Sequence, residues 1–209
     1  MAKAGISAVP TLGGPAAELF DLIVPSSLEQ RRQRWFQLVA EHIRALEGKG
    51  IDLEALSTDE GFITVVIEAS KAALGTHIEG KLQLLANCVE SAALPENNDD
   101  FIAMRFLQYV EELSPEHFVV LTYLADPYRW YERNGIERPA ITGPRRAALD
   151  NAELPVEGDV LELVLADLDQ RGLANVGGLS GIVTENAVYG TLSTQRGVQL
   201  LKFVQLFPH

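Results

Sequence analysis

Gly75, Gly80 and Lys81 stand at the spacing of a phosphate-binding loop, in the run Gly75-Thr76-His77-Ile78-Glu79-Gly80-Lys81-Leu82. Such a loop works because glycine lets main-chain amides close around phosphates, a lysine reaches the β- and γ-phosphates, and a following Ser or Thr binds magnesium. Leu82 occupies that last position, Glu79 puts a carboxylate where phosphates would sit, and the residues ahead of Gly75 read as helix where a strand is needed. The run is better read as a break between two helices, with Thr76 and Glu79 at capping-box spacing. His77 and Glu79 also reproduce the His-x-Glu half of a zinc deaminase, in which the histidine binds metal and the glutamate moves protons. That chemistry needs two downstream cysteines, and the chain has a single one, Cys88.

The remaining chemistry-bearing residues are scattered. His42, His77 and His117 fall on three different expected helices, and no metal or other cofactor is assigned to them. Cys88 lies among Leu84, Leu85, Val89 and Ala92, the surroundings of a small buried hydrophobe. Gly177, Gly178 and Gly181 could wrap an anion, but glycines between two strands are ordinary turn chemistry. Two groups have the composition of a partner-binding surface: the basic patch Arg31, Arg32 and Arg34, and the aromatic group Tyr128, Trp130 and Tyr131 interleaved with Arg129 and Arg133. Arg145 and Arg146 form a smaller basic pair. No catalytic constellation is complete, so the expectation is a protein that is not an enzyme.

The elements that must position these residues are mostly helices. A 209-residue chain with 47% hydrophobic residues can bury a continuous core. Its net charge of −12 disfavours nucleic acid and anionic membranes as partners. One cysteine excludes an internal disulfide, and no apolar run reaches the roughly 18 residues of a membrane span, so a cytoplasmic protein is expected. Residues 1–14 show no period and read as a flexible N-terminus. Helical spacing then predicts a short helix over Ala16–Val24 stopped by Pro25, a long one capped at Ser26 or Ser27 and ended by Gly48 and Gly50, and a single turn at Asp52–Leu56. Further helices follow over Phe62–Leu74 behind a Ser57 cap, from Thr76 to the stop at Pro95, from Asp99 or Asp100, and from Ser114-Pro115. Residues 136–155 read as a long loop around a short helix at Arg145–Leu149. Val156–Arg171 is helical, Leu173–Val176 and Ala187–Leu192 are expected to pair as a hairpin, and Ser193 caps a final helix over Thr194–Leu206.

The strings Leu113-Ser114-Pro115-Glu116-His117-Phe118, Leu165-Ala166-Asp167-Leu168-Asp169-Gln170-Arg171-Gly172 and Leu192-Ser193-Thr194-Gln195-Arg196-Gly197, with a helix and a hairpin between them, resemble a winged helix. The fold class implied is mainly α: a helical bundle over residues 15–112, then a winged-helix-like domain over 113–209 with a small β-hairpin. With the helical first half, the order is also similar to that of the bacterial abortive-infection alpha-type proteins. That resemblance implies a bacterial cytoplasmic protein tied to phage defence and supplies no catalytic residues. A winged helix invites DNA binding through its recognition helix and wing. Here that helix carries Glu157, Asp159, Glu162, Asp167 and Asp169 against Arg171, and residues 173–192 hold Glu185 and no Lys or Arg. A phosphate backbone would be repelled. The functional expectation is a protein-interaction or regulatory protein, its partner another protein or a second copy. The alternatives are a DNA-binding regulator using the Arg31–Arg34 helix and an enzyme with a dispersed site near His77 and Glu79.

Overall fold

The computed structural model describes residues 15–97, 99–140 and 142–207. The expected flexible N-terminus, 1–14, lies outside them. Helix α1 runs without interruption over Pro15–Gly48, through Pro25, so the expected division into two helices is corrected. Proline removes one main-chain donor and crowds one carbonyl, which a long helix with bonds on both sides tolerates. With no helix start at residue 26, Ser26 and Ser27 sit inside the element. Gly50, in the left-handed region at φ 79°, turns the chain out of the helix, as its residue type predicts.

Aspartates do most of the capping that follows. Asp52 accepts from the amides of Glu54 and Ala55 to start α2 (Leu53–Leu56), and Asp59 accepts from Phe62 at 2.8 Å to start α3 (Glu60–Gly75). Asp59 displaces Ser57 as the cap because Ser57 closes α2 instead. Helix α4 spans Glu79–Ala92, and a short 3-10 turn at Pro95–Asn97 leads to Asp99, which caps α5 (Asp100–Glu112). Ser114 and Pro115 open α6 (Pro115–Ala125), and Asp126 caps α7 (Pro127–Asn134).

After α7 come strand β1 (Gly143–Pro144), α8 (Arg145–Asp150) and α9 (Gly158–Gln170). A 3-10 turn at Val176–Ser180 leads to β2 (Ile182–Val183), α10 (Glu185–Val188) and α11 (Gln195–Phe203). The small antiparallel sheet is real but differs from the expected one: Gly143 pairs with Val183 and Pro144 with Ile182. The expected hairpin survives only at its ends, where Ala174 bridges Ser193. The expected second strand begins as a helical turn instead, since the amides of Ala187 and Val188 both donate to the Thr184 carbonyl and that of Gly190 donates to Ala187.

Helix α4 is the central element. It packs against α1, α3, α5 and α11, while α6 holds α9, α11 and α7. One hydrophobic core runs from Trp35 and Val65 through Leu85, Leu107 and Leu121 to Leu165 and Val204. It is therefore continuous across residue 112. Among the described residues no helix is long and apolar enough to cross a membrane.

Candidate functional site

Lys81 acts as a strap. Its ammonium donates to the carbonyls of Glu111 and Leu113, satisfying main-chain acceptors at the end of α5. Burial pulls its pKa below the ordinary lysine value, with the Glu111 charge opposing. The lysine of the phosphate-loop spacing is thus engaged by the fold. His77 is exposed and lines a shallow cleft of about 240 Å³ with Thr76, Arg31 and Arg34. Each neighbouring charge is occupied: Arg34 pairs with Glu79 at 3.3 Å, Arg31 donates to the Leu74 carbonyl at 3.2 Å, and Arg32 lies 3.8 Å from Glu29 and over the ring of Phe36. The arginine patch and the His77–Glu79 pair, separate in sequence, are brought to one place.

The other two histidines have quite different surroundings. His42 Nδ1 lies 2.5 Å from Glu90, whose other oxygen accepts from Lys49 at 2.6 Å. Gln83 donates both to His42 Nε2 and to Asn87, so a neutral His42 carries its proton on Nδ1 and gives it to Glu90. Asn87 continues the chain of bonds to the Val204 carbonyl at 2.8 Å. Glu90 is only 5% exposed. Burial pushes its carboxyl up, but hydrogen bonds from Lys49 and His42 outweigh this and hold it below the usual carboxylate range.

His117 sits between Ser114 and Asp167, an order that looks like a nucleophile, base and orienter. Ser114 Oγ is 2.9 Å from Nδ1, and Nε2 is 3.3 Å from Asp167. The Ser114 main-chain N–H also donates to Nδ1, so the lone pair that would accept the serine proton is already taken. Hydrogen bonding from Ser114 in addition holds the Glu116 carboxyl below its ordinary value. The arrangement is a capping box with histidine in the place of the usual Glu or Gln, and Arg171 shares Asp167. Among the described residues no group of three or more His, Cys, Asp or Glu could hold a metal ion.

Of the aromatic group, Tyr131 is fully buried and its hydroxyl donates to the Ala148 carbonyl, with burial pushing its pKa up to about 12. Trp130 donates to the Ala152 carbonyl at 2.8 Å. Both tie α7 to the α8 segment. Tyr128 is half-exposed, with Arg138 stacked 3.7 Å above its ring. The carboxylates of α9 are partly engaged as well: Glu162 pairs with Arg146, Asp167 with His117 and Arg171, and Asp169 accepts from the Val176 amide.

A surface that the sequence did not single out lies between α5 and α11. Both helices pack on α4, and they meet through the tilted ring contact of Phe106 and Phe203, 5.4 Å between centroids. Two adjoining hollows of about 390 and 450 Å³ share Ile102, Phe106 and Gln199, forming one groove in which the start of α5 faces the end of α11. Phe101 on its edge is 76% exposed and Ile102 40%. The half of the groove towards the end of α5 is lined by Arg105 and Arg196 and by no carboxylate. A signal was present in the sequence: α5 carries Phe101, Ile102, Met104, Phe106, Leu107, Tyr109 and Val110, more apolar residues than one buried stripe uses.

No family model matches this chain, and no curated protein or solved structure matches it either.

Proposed function

We propose that the chain is a non-enzymatic interaction or regulatory module that binds another protein through the groove between α5 and α11. The observation that carries this reading is the exposure of Phe101 and Ile102 beside a concavity of mixed lining, with polar Glu96, Asn97, Gln199 and Lys202 around it. Scattered apolar residues on a surface are ordinary, whereas contiguous ones around a concavity mark recognition sites. The occupied state of the other constellations supports a binding role over catalysis: Lys81, His117 and Glu90 each spend their hydrogen-bonding capacity on the fold. Arg31, Arg32 and Arg34 are similarly engaged, so no observation favours reading DNA through α1. On this reading residues 113–209 serve as a winged-helix-like packing and protein-binding unit, and a partner within a bacterial phage-defence response is what the sequence resemblance to abortive-infection proteins would imply.

The test is recovery of partners from a bacterial lysate by the intact chain and by a Phe101→Glu, Ile102→Glu variant. The expected result is a protein captured by the first and lost with the second. Absence of any specific partner across conditions, or equal capture by both, overturns the reading.

A further inference from the structure

The protein carries 29 acidic and 17 basic residues, so a stretch of surface without a carboxylate is informative. Along the groove between α5 and α11 the basic residues Arg105, Arg196 and Lys202 are all free of ion pairs with described residues, and the Arg196 side chain makes no hydrogen bond to them either. Arg105 reaches only Gln108, at 3.2 Å, and stacks 4.8 Å from the centre of the Tyr109 ring. Most other arginines near carboxylates are paired: Arg34 with Glu79, Arg146 with Asp150 and Glu162, Arg171 with Glu112 and Asp167. Two acidic side chains do line the groove, Glu96 and Asp99, but at the far end beside Lys202, and Asp99 is already the cap of α5.

We infer that the occupant of this groove is an acidic amphipathic helix, its apolar face against the exposed side chains of Phe101 and Ile102 and its carboxylates against Arg105 and Arg196. The dimensions agree. From Asp99 to Tyr109 the groove follows about 15 Å of helix axis, roughly three turns, which accommodates anchors at i, i+3 or i+4, and i+7. The polarity agrees too: the cationic half lies at one end, so glutamates or aspartates should be concentrated at one end of the ligand. A basic helix would meet two like charges, and an uncharged one would leave both guanidinium groups without a partner. This inference rests on the proposed protein-binding role and specifies the chemistry of the partner.

The experiment uses two fluorescein-labelled synthetic helical peptides, about four turns long, with leucines on one face and either glutamates or lysines flanking them. Binding to the full chain is followed by anisotropy at low and high salt. The glutamate peptide is expected to bind about tenfold or more tightly than the lysine peptide, with the preference shrinking as salt rises. An Arg105→Glu, Arg196→Glu variant should invert the preference, and Phe101→Ala should weaken both peptides. These residues are exposed, and circular dichroism of each variant verifies the fold. Equal binding of the two peptides, a preference that charge reversal does not move, or no saturation by either up to about 1 mM overturns the inference. So does concentration-dependent self-association lost in Phe101→Ala, which assigns the groove to a second copy. A lysate partner whose capture still depends on Phe101 and Ile102 would then leave the binding role standing without its acidic ligand, so the two failures are distinguishable.

Discussion

At the level of single side chains, Glu90 shows how burial converts an ordinary charge into a structural one. It holds His42 of α1, and Lys49 just past the end of that helix, against α4, and its surroundings leave it nearly dry. Removing one partner of a buried pair costs about 3–5 kcal/mol, and because Lys49 is half-exposed and can return to water, Glu90→Ala should lie near the low end, about 3 kcal/mol. The pH dependence has a definite sign. The folded carboxyl titrates below its unfolded value near 4.5, so its contribution is fully present above that pH and is lost as pH falls through the folded value. Urea unfolding at pH 7, 4 and 3 should show wild type losing more stability on acidification than Glu90→Ala. Parallel losses would mean that the charge contributes nothing. Cys88 follows the opposite course: burial first, and the Glu111 charge second, push its thiol up and make it inert.

At the level of elements, close approach of backbones decides which substitutions matter. Gly197, in the first turn of α11, faces the Leu173 carbonyl and Ser193 Oγ so closely that an added Cβ would overlap both. Gly197→Ala should therefore push α11 off the Ala174–Ser193 bridge and cost about 1–3 kcal/mol. Gly75→Ala, with nothing within 4 Å, should be neutral or stabilise α3 by up to about 1 kcal/mol. Thermal unfolding of the pair checks this, and equal effects would sink it. Much at this scale was legible in the sequence, because local rules set it. Asp99 caps, Gly50 ends a helix in the left-handed region, and the short helix α8 sits inside the long loop, as residue types alone indicate. What escaped was set by alternatives of similar energy or by distance along the chain. Pro25 is absorbed by a long helix, Asp59 outcompetes Ser57, and local bonds to the Thr184 carbonyl defeat a strand over 187–192. The candidate groove joins residues 101–109 with 196–203, and no pattern within either segment announces the other.

For the whole molecule, one buried core includes residues on both sides of positions 112 and 113. Leu107 and Val110 before them and Phe118 and Leu121 after them belong to the same core, and Asn87 on α4 donates to the Val204 carbonyl at the end of α11. The chain should consequently unfold in one cooperative step. Trp35 in α1 and Trp130 in α7 report on opposite sides of residue 112, so fluorescence of Trp35→Phe and Trp130→Phe variants should give the same urea midpoint once each is referred to its own far-ultraviolet dichroism. Separated midpoints within one variant would reveal two units.

The Asn87–Val204 bond, together with the donation of the Leu192 and Ser193 amides to the Leu124 carbonyl, has a practical consequence. The last stretch of polypeptide is sewn into the first by contacts that do not depend on the exposed link at Glu137 and Arg138. Expressed as two separate pieces split there, the protein should reassemble on mixing and co-elute, which would make it a ready scaffold for fragment complementation.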